Sequence, residues 1–225
     1  PDGTECEGEF SEPVVCLLGL TTSSLDGAGE HRPPVDHDRE VREAWSGSSS
    51  SVKRTLRYLL EDKMGLDSSD YVWWWQSEPH PGGGAASGYS HSHPVIILDE
   101  AATVPEAPEP TDPETWRPVV AKHVSECDNA EWDAHRLDDA VSVSRADEIG
   151  DIVGYVSEYL AVAPDEDLLE RSDEYLLWAA AQFASSTQKY SRSKWAVAAA
   201  QADACQQRYH DPETDQTHEH GERVV

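Results

Sequence analysis

Two apolar segments joined by a turn constrain the fold of this 225-residue chain most strongly. Tyr71–Gln76 (YVWWWQ) and His93–Leu98 (HPVIIL) are rich in the aromatic and β-branched residues that favour strands. Between them, Pro79–Gly88 (PHPGGGAASG) has the Pro/Gly composition of a turn. The pattern therefore predicts two neighbouring antiparallel strands.

The remaining segments predict an α+β protein in which a central antiparallel sheet carries flanking helices. Two further apolar runs indicate strands, at Val14–Thr22 (VVCLLGLTT) and at Leu137–Val143. A first helix begins after Ser51, and later helices are predicted from Ser144 to about Ala163, at Asp173–Ala184 and at Ser193–Tyr209. Strands that precede helices along the chain are typical of this fold class.

Composition along the chain predicts one main domain between less ordered ends. We expect residues 1–12 to be frayed, residues 13–165 to form the main domain, 166–209 to add C-terminal helices and 210–225 to be disordered. A Pro- and acid-rich stretch at 99–118 is expected to be a surface insertion in the main domain.

The charge balance is strongly acidic, with 17 Lys and Arg against 44 Asp and Glu, a net charge of −27. Acidic residues occur over nearly the whole chain and Lys is scarce, a composition that resembles that of haloarchaeal proteins, which work in concentrated salt. Because the Debye length there is ~3 Å or less, net charge does not exclude nucleic acid as a partner. Lys53, Arg54 and Arg57 form one of the few basic groups. No run of 18 apolar residues occurs, so we expect no membrane span. The four cysteines are isolated and form no C-x-x-C pair, which predicts reduced thiols and a cytoplasmic protein.

The clearest candidate for chemistry is a metal site around a His-x-His pair. Side chains two residues apart on a strand share a face, so His91 and His93 present two imidazoles together. Glu78 ends the preceding strand, and the turn can bring it alongside. Two imidazoles and one carboxylate suffice to hold a divalent ion. His80, in the turn, is a weaker candidate for an additional ligand.

A second candidate is a pair of tyrosines on the predicted helix after Ser144. Tyr155 and Tyr159 are four residues apart and therefore lie on one side of a helix. They border its apolar face, where they can pack half-buried with their hydroxyls free. The residues of that apolar face are Ile149, Ile152, Val153, Val156 and Leu160.

Three segments in this order resemble rolling-circle replication initiators of the HUH endonuclease superfamily, particularly those of haloarchaeal plasmids and viruses. They are Leu17–Thr22 (LLGLTT), Gly88–His93 (GYSHSH) and Tyr155–Tyr159 (YVSEY). In that family the first motif is a strand, the second is His-hydrophobic-His, and the third is a helix with one or two nucleophilic tyrosines.

The resemblance implies an HUH-type domain with an RRM-like sheet that nicks and joins single-stranded DNA at a replication origin. It implies a covalent 5′-phosphotyrosine made by Tyr155, with Tyr159 as a possible second nucleophile. It also implies Mg²⁺ or Mn²⁺ held by Glu78, His91 and His93. The expected partners are single-stranded origin DNA and the host replication machinery.

DNA contacts are expected from one aromatic residue and a short basic segment. Trp74 shares strand parity with Gln76 and Glu78, so it can offer a stacking platform on the metal face, whereas Trp73 and Trp75 face the other way. Residues 188–194 (QKYSRSK) are similar to a basic segment of the haloarchaeal initiators. The candidate phosphate contacts there are Lys189, Arg192 and Lys194.

Three departures from the family pattern keep other functions open. Ser92 stands between the two histidines, Pro94 follows them and suggests a bulge, and Glu158 stands where the family often has Lys. A replication protein that binds DNA without cutting it is one alternative. An HUH transposase and a non-haem enzyme with a two-His, one-carboxylate metal site are two others.

Overall fold

Five strands form one antiparallel sheet at the centre of the protein. The computed structural model describes residues 10–47, 51–80, 84, 86–145, 171–185, 190–193, 210–211 and 216–217. The strands are β1 (Pro13–Leu18), β2 (Tyr71–Pro79), β3 (Ser90–Asp99), β4 (Val141–Arg145) and β5 (Tyr190–Arg192). Their spatial order is β4-β1-β3-β2-β5, and every pair is antiparallel. The expected α+β class is confirmed.

Helices flank this sheet. They are α1 (Pro34–Ser46), α2 (Val52–Arg57), α3 (Arg117–Glu126), α4 (Leu137–Ala140) and α5 (Asp173–Ser185). A π-helical turn, Tyr58–Lys63, continues α2, and 3₁₀ turns lie at Glu100–Ala102, Pro113–Trp116 and Trp132–Ala134. As predicted, Ser51 caps α2: its hydroxyl oxygen accepts the backbone N–H of Arg54 at 3.2 Å. None of the described helices is both long and apolar enough to cross a bilayer.

The two faces of the sheet carry different clusters because side chains alternate along each strand. The first face holds the main core, in which Trp73 and Trp75 of β2 pack with residues of α1, α2 and α3. The second face holds a smaller apolar cluster made of Val15, Leu17, Trp74, Val95 and Ile97. The predicted division of the three consecutive tryptophans between opposite faces is therefore confirmed.

A cluster of three indoles joins α1 to the first face of the sheet. The Trp45 ring meets Trp73 edge-on with centroids 5.5 Å apart, and it stacks on Trp75 at 5.9 Å. Trp45 is 1% exposed. Since buried aromatic rings contribute large apolar areas and favour these two geometries, this cluster fixes α1 against β2.

Three sequence expectations differ from the structure. Ser144 lies within β4, so the predicted helix does not begin there. The β2–β3 register stays constant through the Trp75–Pro94 pair, so Pro94 causes no bulge. The stretch at 99–118 is not confined to the surface, because Trp116 is fully buried and its indole N–H donates to the carbonyl of Pro110 at 2.9 Å.

Other expectations for the chain ends fall partly or wholly outside the described residues. The rest of the helix predicted from Ser144 falls on residues 146–163, and the last predicted helix falls on residues 193–209. Of these residues, only Ser193 is described. Asp173–Ala184 corresponds to α5. Within the tail expected to be disordered, His210–Asp211 and Gln216–Thr217 pair as two short strands.

We predict that Trp45→Ala lowers the free energy of unfolding by about 3–5 kcal/mol, because it leaves a cavity between α1 and β2. Denaturant titration in concentrated KCl measures the change. Trp132→Ala is the matched control, since Trp132 is 43% exposed. Equal losses for the two variants would contradict the packing described for Trp45.

Candidate metal centre

The β2–β3 hairpin brings the three predicted ligands together. Glu78 lies directly opposite His91, and Gln76 lies opposite His93. Because cross-strand partners share a face, the three side chains project from the same side of the sheet. One ligand atom from each lies within 4.8 Å of the other two, and His93 Nε2 is 3.9 Å from Glu78 Oε1. We call these three residues the triad.

The triad opens into a cavity of about 420 Å³. Its other walls come from the segment after β1, from the turn after β2 and from the region of α4. These lining residues are Gly19, Leu20, Thr21, Pro79, His80, Ala134, Asp139 and Ala140. The first two segments that resemble the initiator family, Leu17–Thr22 and Gly88–His93, therefore meet at one site.

Burial governs the electrostatics of the triad. It raises the pKa of Glu78 to about 7. It lowers the pKa of His91 to about 3, helped by the neighbouring His93, His80 and His37. It also lowers the pKa of His93 to about 4, with a further contribution from His80. At neutral pH both imidazoles are therefore uncharged, which is the form that binds metal ions.

The donor set and its surroundings fit a divalent cation. A cation between the imidazoles and the carboxylate would compensate the charge that burial makes unfavourable on Glu78. The Nδ1 atom of His91 is buried without a hydrogen-bond partner among the residues that the structure describes. Within those same residues, the triad is the only group of three His, Cys, Asp or Glu side chains with this ligand geometry.

Pro94 removes one backbone donor from the pairing of β3 with β1. Ser92 and Leu20 exchange both backbone hydrogen bonds at 2.9 Å, so alternate residues of β3 direct their backbone groups towards β1. Two residues on, Pro94 faces Leu18 but has no N–H to donate. The backbone of Leu18 still acts on the nearby His93 ring, where it raises the pKa of the imidazole against the larger lowering caused by burial.

A buried polar layer explains why a small polar residue separates the two histidines. Ser92 points to the first face and is 1% exposed. Its cross-strand partner Ser77 accepts a hydrogen bond from Gln182 Nε2 at 3.2 Å. Gln182 also donates to the carboxylate of Asp38, which accepts from the Ser90 hydroxyl at 2.7 Å. The Ser92 hydroxyl donates to the Leu20 carbonyl at 3.3 Å, so a bulky apolar residue at position 92 would lose this bond and crowd the layer.

Three further histidines hold the segment that lines the cavity after β1. The Thr21 N–H donates to His135 Nε2 at 3.1 Å, and the Thr21 carbonyl accepts from His123 Nε2 at 2.8 Å. The carbonyl of Thr22 accepts from His37 Nε2 at 3.2 Å. Sequence reasoning found no role for His123 and His135, because their partners are backbone groups 102 and 114 residues away.

The other predicted site residues are only partly described. Trp74 is half-buried on the same face as the triad, as expected. The backbone of Arg192 pairs with Trp74 at the edge of the sheet. The two tyrosines, Tyr155 and Tyr159, and the two lysines, Lys189 and Lys194, lie outside the described residues.

We predict that Glu78→Gln stabilises the metal-free protein at pH 8. Glu78 ionises in the folded state only above about pH 7, whereas in the unfolded chain it ionises around the ordinary glutamate pKa of 4.5. The cost of the buried charge therefore grows from about pH 4.5 to 7 and stays constant above, reaching about 3 kcal/mol. Unfolding titrations with EDTA should show this gain at pH 8 and none at pH 4.

Glu114→Gln provides the control for that experiment, because Glu114 is exposed on the surface and paired with Arg117. It should not stabilise the protein at either pH. If Glu78→Gln were no more stable than the unmodified protein at pH 8, the burial argument for Glu78 would be wrong.

Comparison with known proteins places the chain in a family. Residues 11–221 match a family model described as "Putative rep protein (DUF1424)". A 36 kDa uncharacterized protein of Halobacterium salinarum is 27% identical over 192 residues, covering 80% of this chain and 53% of that protein. A second 36 kDa uncharacterized protein, from Halobacterium sp. (strain GN101), is 28% identical over 213 residues. The match covers 88% of this chain and 56% of the Halobacterium protein.

The chain thus spans about half the length of these curated relatives. No solved structure matches it. The family model, by contrast, covers nearly the whole sequence, from the residues before β1 to the C-terminal tail. The protein therefore belongs to the family described as "Putative rep protein (DUF1424)".

Proposed function

We propose that this protein initiates rolling-circle replication by nicking and rejoining single-stranded DNA at an origin. The family's description supports a role in replication. The observation that carries the catalytic part is the triad of Glu78, His91 and His93 in an open cavity. Such a cavity leaves coordination positions for a phosphate group.

The triad would hold one divalent ion, expected to be Mg²⁺ or Mn²⁺ from the resemblance to HUH initiators. Bound there, the ion would polarise the scissile phosphate and stabilise negative charge as the phosphate reacts. Two imidazoles and a carboxylate also suit Fe²⁺ or Zn²⁺, so a series of metals is needed to identify the ion.

Tyr155 is the proposed nucleophile, with Tyr159 as the second. The phenol oxygen attacks phosphorus, the new phosphorus–oxygen bond to tyrosine forms, and the bond to the 3′ oxygen breaks. The proton lost by the phenol is balanced by the one that the released 3′-OH gains. Because a tyrosine hydroxyl has a pKa of ~10, it is a weak nucleophile at neutral pH and needs the charge stabilisation that the bound ion would supply. The 3′-OH then primes synthesis.

The second face of the sheet supports a position for the two tyrosines. Helices α1, α2, α3 and α5 contact the first face, where the main core lies. The second face ends at the triad and carries an apolar cluster that includes Val15 and Val95. The proposal requires the predicted tyrosine helix to pack its apolar side on this cluster, which would bring the phenols towards the triad.

Nicking is tested by mixing the protein with single-stranded origin DNA and Mn²⁺ in concentrated KCl. We expect a covalent protein–DNA species on a denaturing gel, lost with EDTA and in His91→Ala. Tyr155→Phe should abolish the first cleavage, whereas Tyr58→Phe, which alters an exposed tyrosine, should not. An adduct that forms at an unchanged rate in both Tyr155→Phe and Tyr159→Phe would reject the mechanism.

Single-stranded DNA is proposed to stack on Trp74 and to contact Lys189, Arg192 and Lys194. In concentrated salt, phosphate contacts release little counterion free energy, so stacking should carry more of the affinity. We predict that Trp74→Ala raises the Kd for single-stranded DNA by about 5- to 100-fold, the effect of losing one base–aromatic stack. Fluorescence anisotropy measures this Kd, with Trp132→Ala as the control. An unchanged Kd in Trp74→Ala would contradict stacking of DNA on Trp74.

The donor set of the triad also favours one alternative. Two histidines and one carboxylate with open positions are typical of non-haem iron oxygenases. This alternative predicts activity that depends on Fe²⁺ and oxygen, and it gives the paired tyrosines no role. A covalent DNA adduct formed without oxygen would decide against it.

A further inference from the structure

Thr21 lies next to the triad on the same face of the sheet. The β1–β3 register continues past the end of β1, where Leu20 pairs with Ser92, so the next residue, Thr21, faces His91. Leu20 is buried in the main core on the first face, and side chains alternate, so the Thr21 side chain is on the second face. Glu78 faces His91 from β2. Thr21, His91 and Glu78 therefore form one row across three strands.

Both backbone groups of Thr21 point away from β3. Leu20 and Ser92 form a hydrogen-bonded pair, since they exchange both backbone bonds at 2.9 Å. The next pair in an antiparallel ladder is not hydrogen-bonded, and its side chains lie closer together. The Thr21 N–H and carbonyl bond instead to His135 and His123, at 3.1 and 2.8 Å. Because these bonds use the backbone alone, the Thr21 hydroxyl can contact a ligand in the cavity.

The two histidines hold the Thr21 backbone as opposite tautomers. His135 Nδ1 donates to the Glu131 carbonyl at 2.7 Å, which leaves Nε2 without a proton and able to accept the Thr21 N–H. His123 donates from Nε2 to the Thr21 carbonyl. Burial lowers the pKa of both imidazoles, so both stay neutral at pH 7. The position of Thr21 is therefore fixed before a ligand binds, which reduces the entropy lost on binding.

The lining of the cavity indicates which ligand group Thr21 would contact. Among the described residues that line it, Thr21 is the one with a hydroxyl, and none is Lys or Arg. The carboxylate of Asp139, also in the lining, accepts hydrogen bonds but does not donate them when ionised. A phosphate at the triad would therefore have the bound ion as its cation and the Thr21 hydroxyl as a neutral donor. Threonine hydroxyls commonly donate to the phosphate oxygens of DNA.

We infer that the Thr21 hydroxyl donates a hydrogen bond to a non-bridging oxygen of the DNA phosphate that the ion at the triad holds. The inference rests on the proposed function in taking single-stranded DNA as the ligand. Negative charge on that oxygen grows as the tyrosine attacks phosphorus, so the bond should lower the reaction barrier as well as the Kd. Thr21 keeps its proton and forms no covalent bond in this step. It binds the phosphate from the side of His91 opposite Glu78.

The test compares Thr21→Val, which removes the hydroxyl but keeps the shape of the side chain, with Thr22→Val. Thr22 is the matched control, because it is 4% exposed and its hydroxyl is buried without a hydrogen-bond partner among the described residues. Thr21→Ala is a second variant without the hydroxyl, whereas Thr21→Ser retains it. Thermal unfolding in concentrated KCl shows whether each variant folds, and the EPR signal of Mn²⁺ shows whether it still binds the ion.

The Kd for a short single strand is measured by anisotropy in Mn²⁺ and in EDTA, with Tyr155→Phe/Tyr159→Phe added to every protein to prevent cleavage. Thr21→Val should raise the Kd in Mn²⁺ by about 10- to 100-fold, the effect of losing one hydrogen bond to a charged group. It should leave the Kd in EDTA unchanged, because without the ion no phosphate is held beside Thr21. Thr21→Ser and Thr22→Val should match the unmodified residues in both solutions.

Equal Kd values in Mn²⁺ for Thr21→Val and Thr22→Val would overturn the inference. Loss of Mn²⁺ binding in Thr21→Val, or a strand that binds the unmodified residues equally with and without Mn²⁺, would also overturn it. The rate of covalent adduct formation, measured with both tyrosines present, separates this inference from nicking. If no adduct forms but Thr21→Val loses the affinity that depends on Mn²⁺, nicking is rejected and the phosphate contact stands. If the adduct forms equally fast in Thr21→Val, the contact is rejected and nicking stands.

Discussion

The unbroken register between β2 and β3 is the constraint on which the site depends. Side chains alternate along both strands, so one register places two tryptophans in the core and Glu78, His91 and His93 on the opposite face. A slip by one residue would reverse both faces. Pro94 does not disturb this register, because its missing N–H faces Leu18 on β1 and leaves the β2 side intact.

The burial that makes the triad ready to bind a cation also lowers the stability of the metal-free protein. Burial makes ionisation of Glu78 unfavourable and keeps His91 and His93 neutral. A bound cation would stabilise the ionised carboxylate and so offset this loss of folding stability. The opposite face supports the hairpin through hydrogen bonds of Asp38 and Gln182. The excess of acidic residues, 44 against 17 basic ones, is shared in character with proteins of concentrated salt.

The parts of the fold that could be predicted are those that depend on local alternation. The hairpin, the parity of Trp74 and the meeting of Glu78 with the two histidines all follow from a period of two. Helix α1 was not predicted, since its buried residues Val41, Ala44 and Trp45 are interspersed with charged residues.

The role of His123 and His135 was also missed, because a hydrogen bond to a distant backbone carbonyl or N–H has no sequence signature. Pro94 was expected to cause a bulge because sequence shows the lost donor but not the direction in which it points. Binding of Mn²⁺ in concentrated KCl, followed by the loss of its free-ion EPR signal, tests the central claim most directly. We expect one site per chain in the unmodified protein and none in His91→Ala/His93→Ala; equal binding by both proteins would contradict a metal site at the triad.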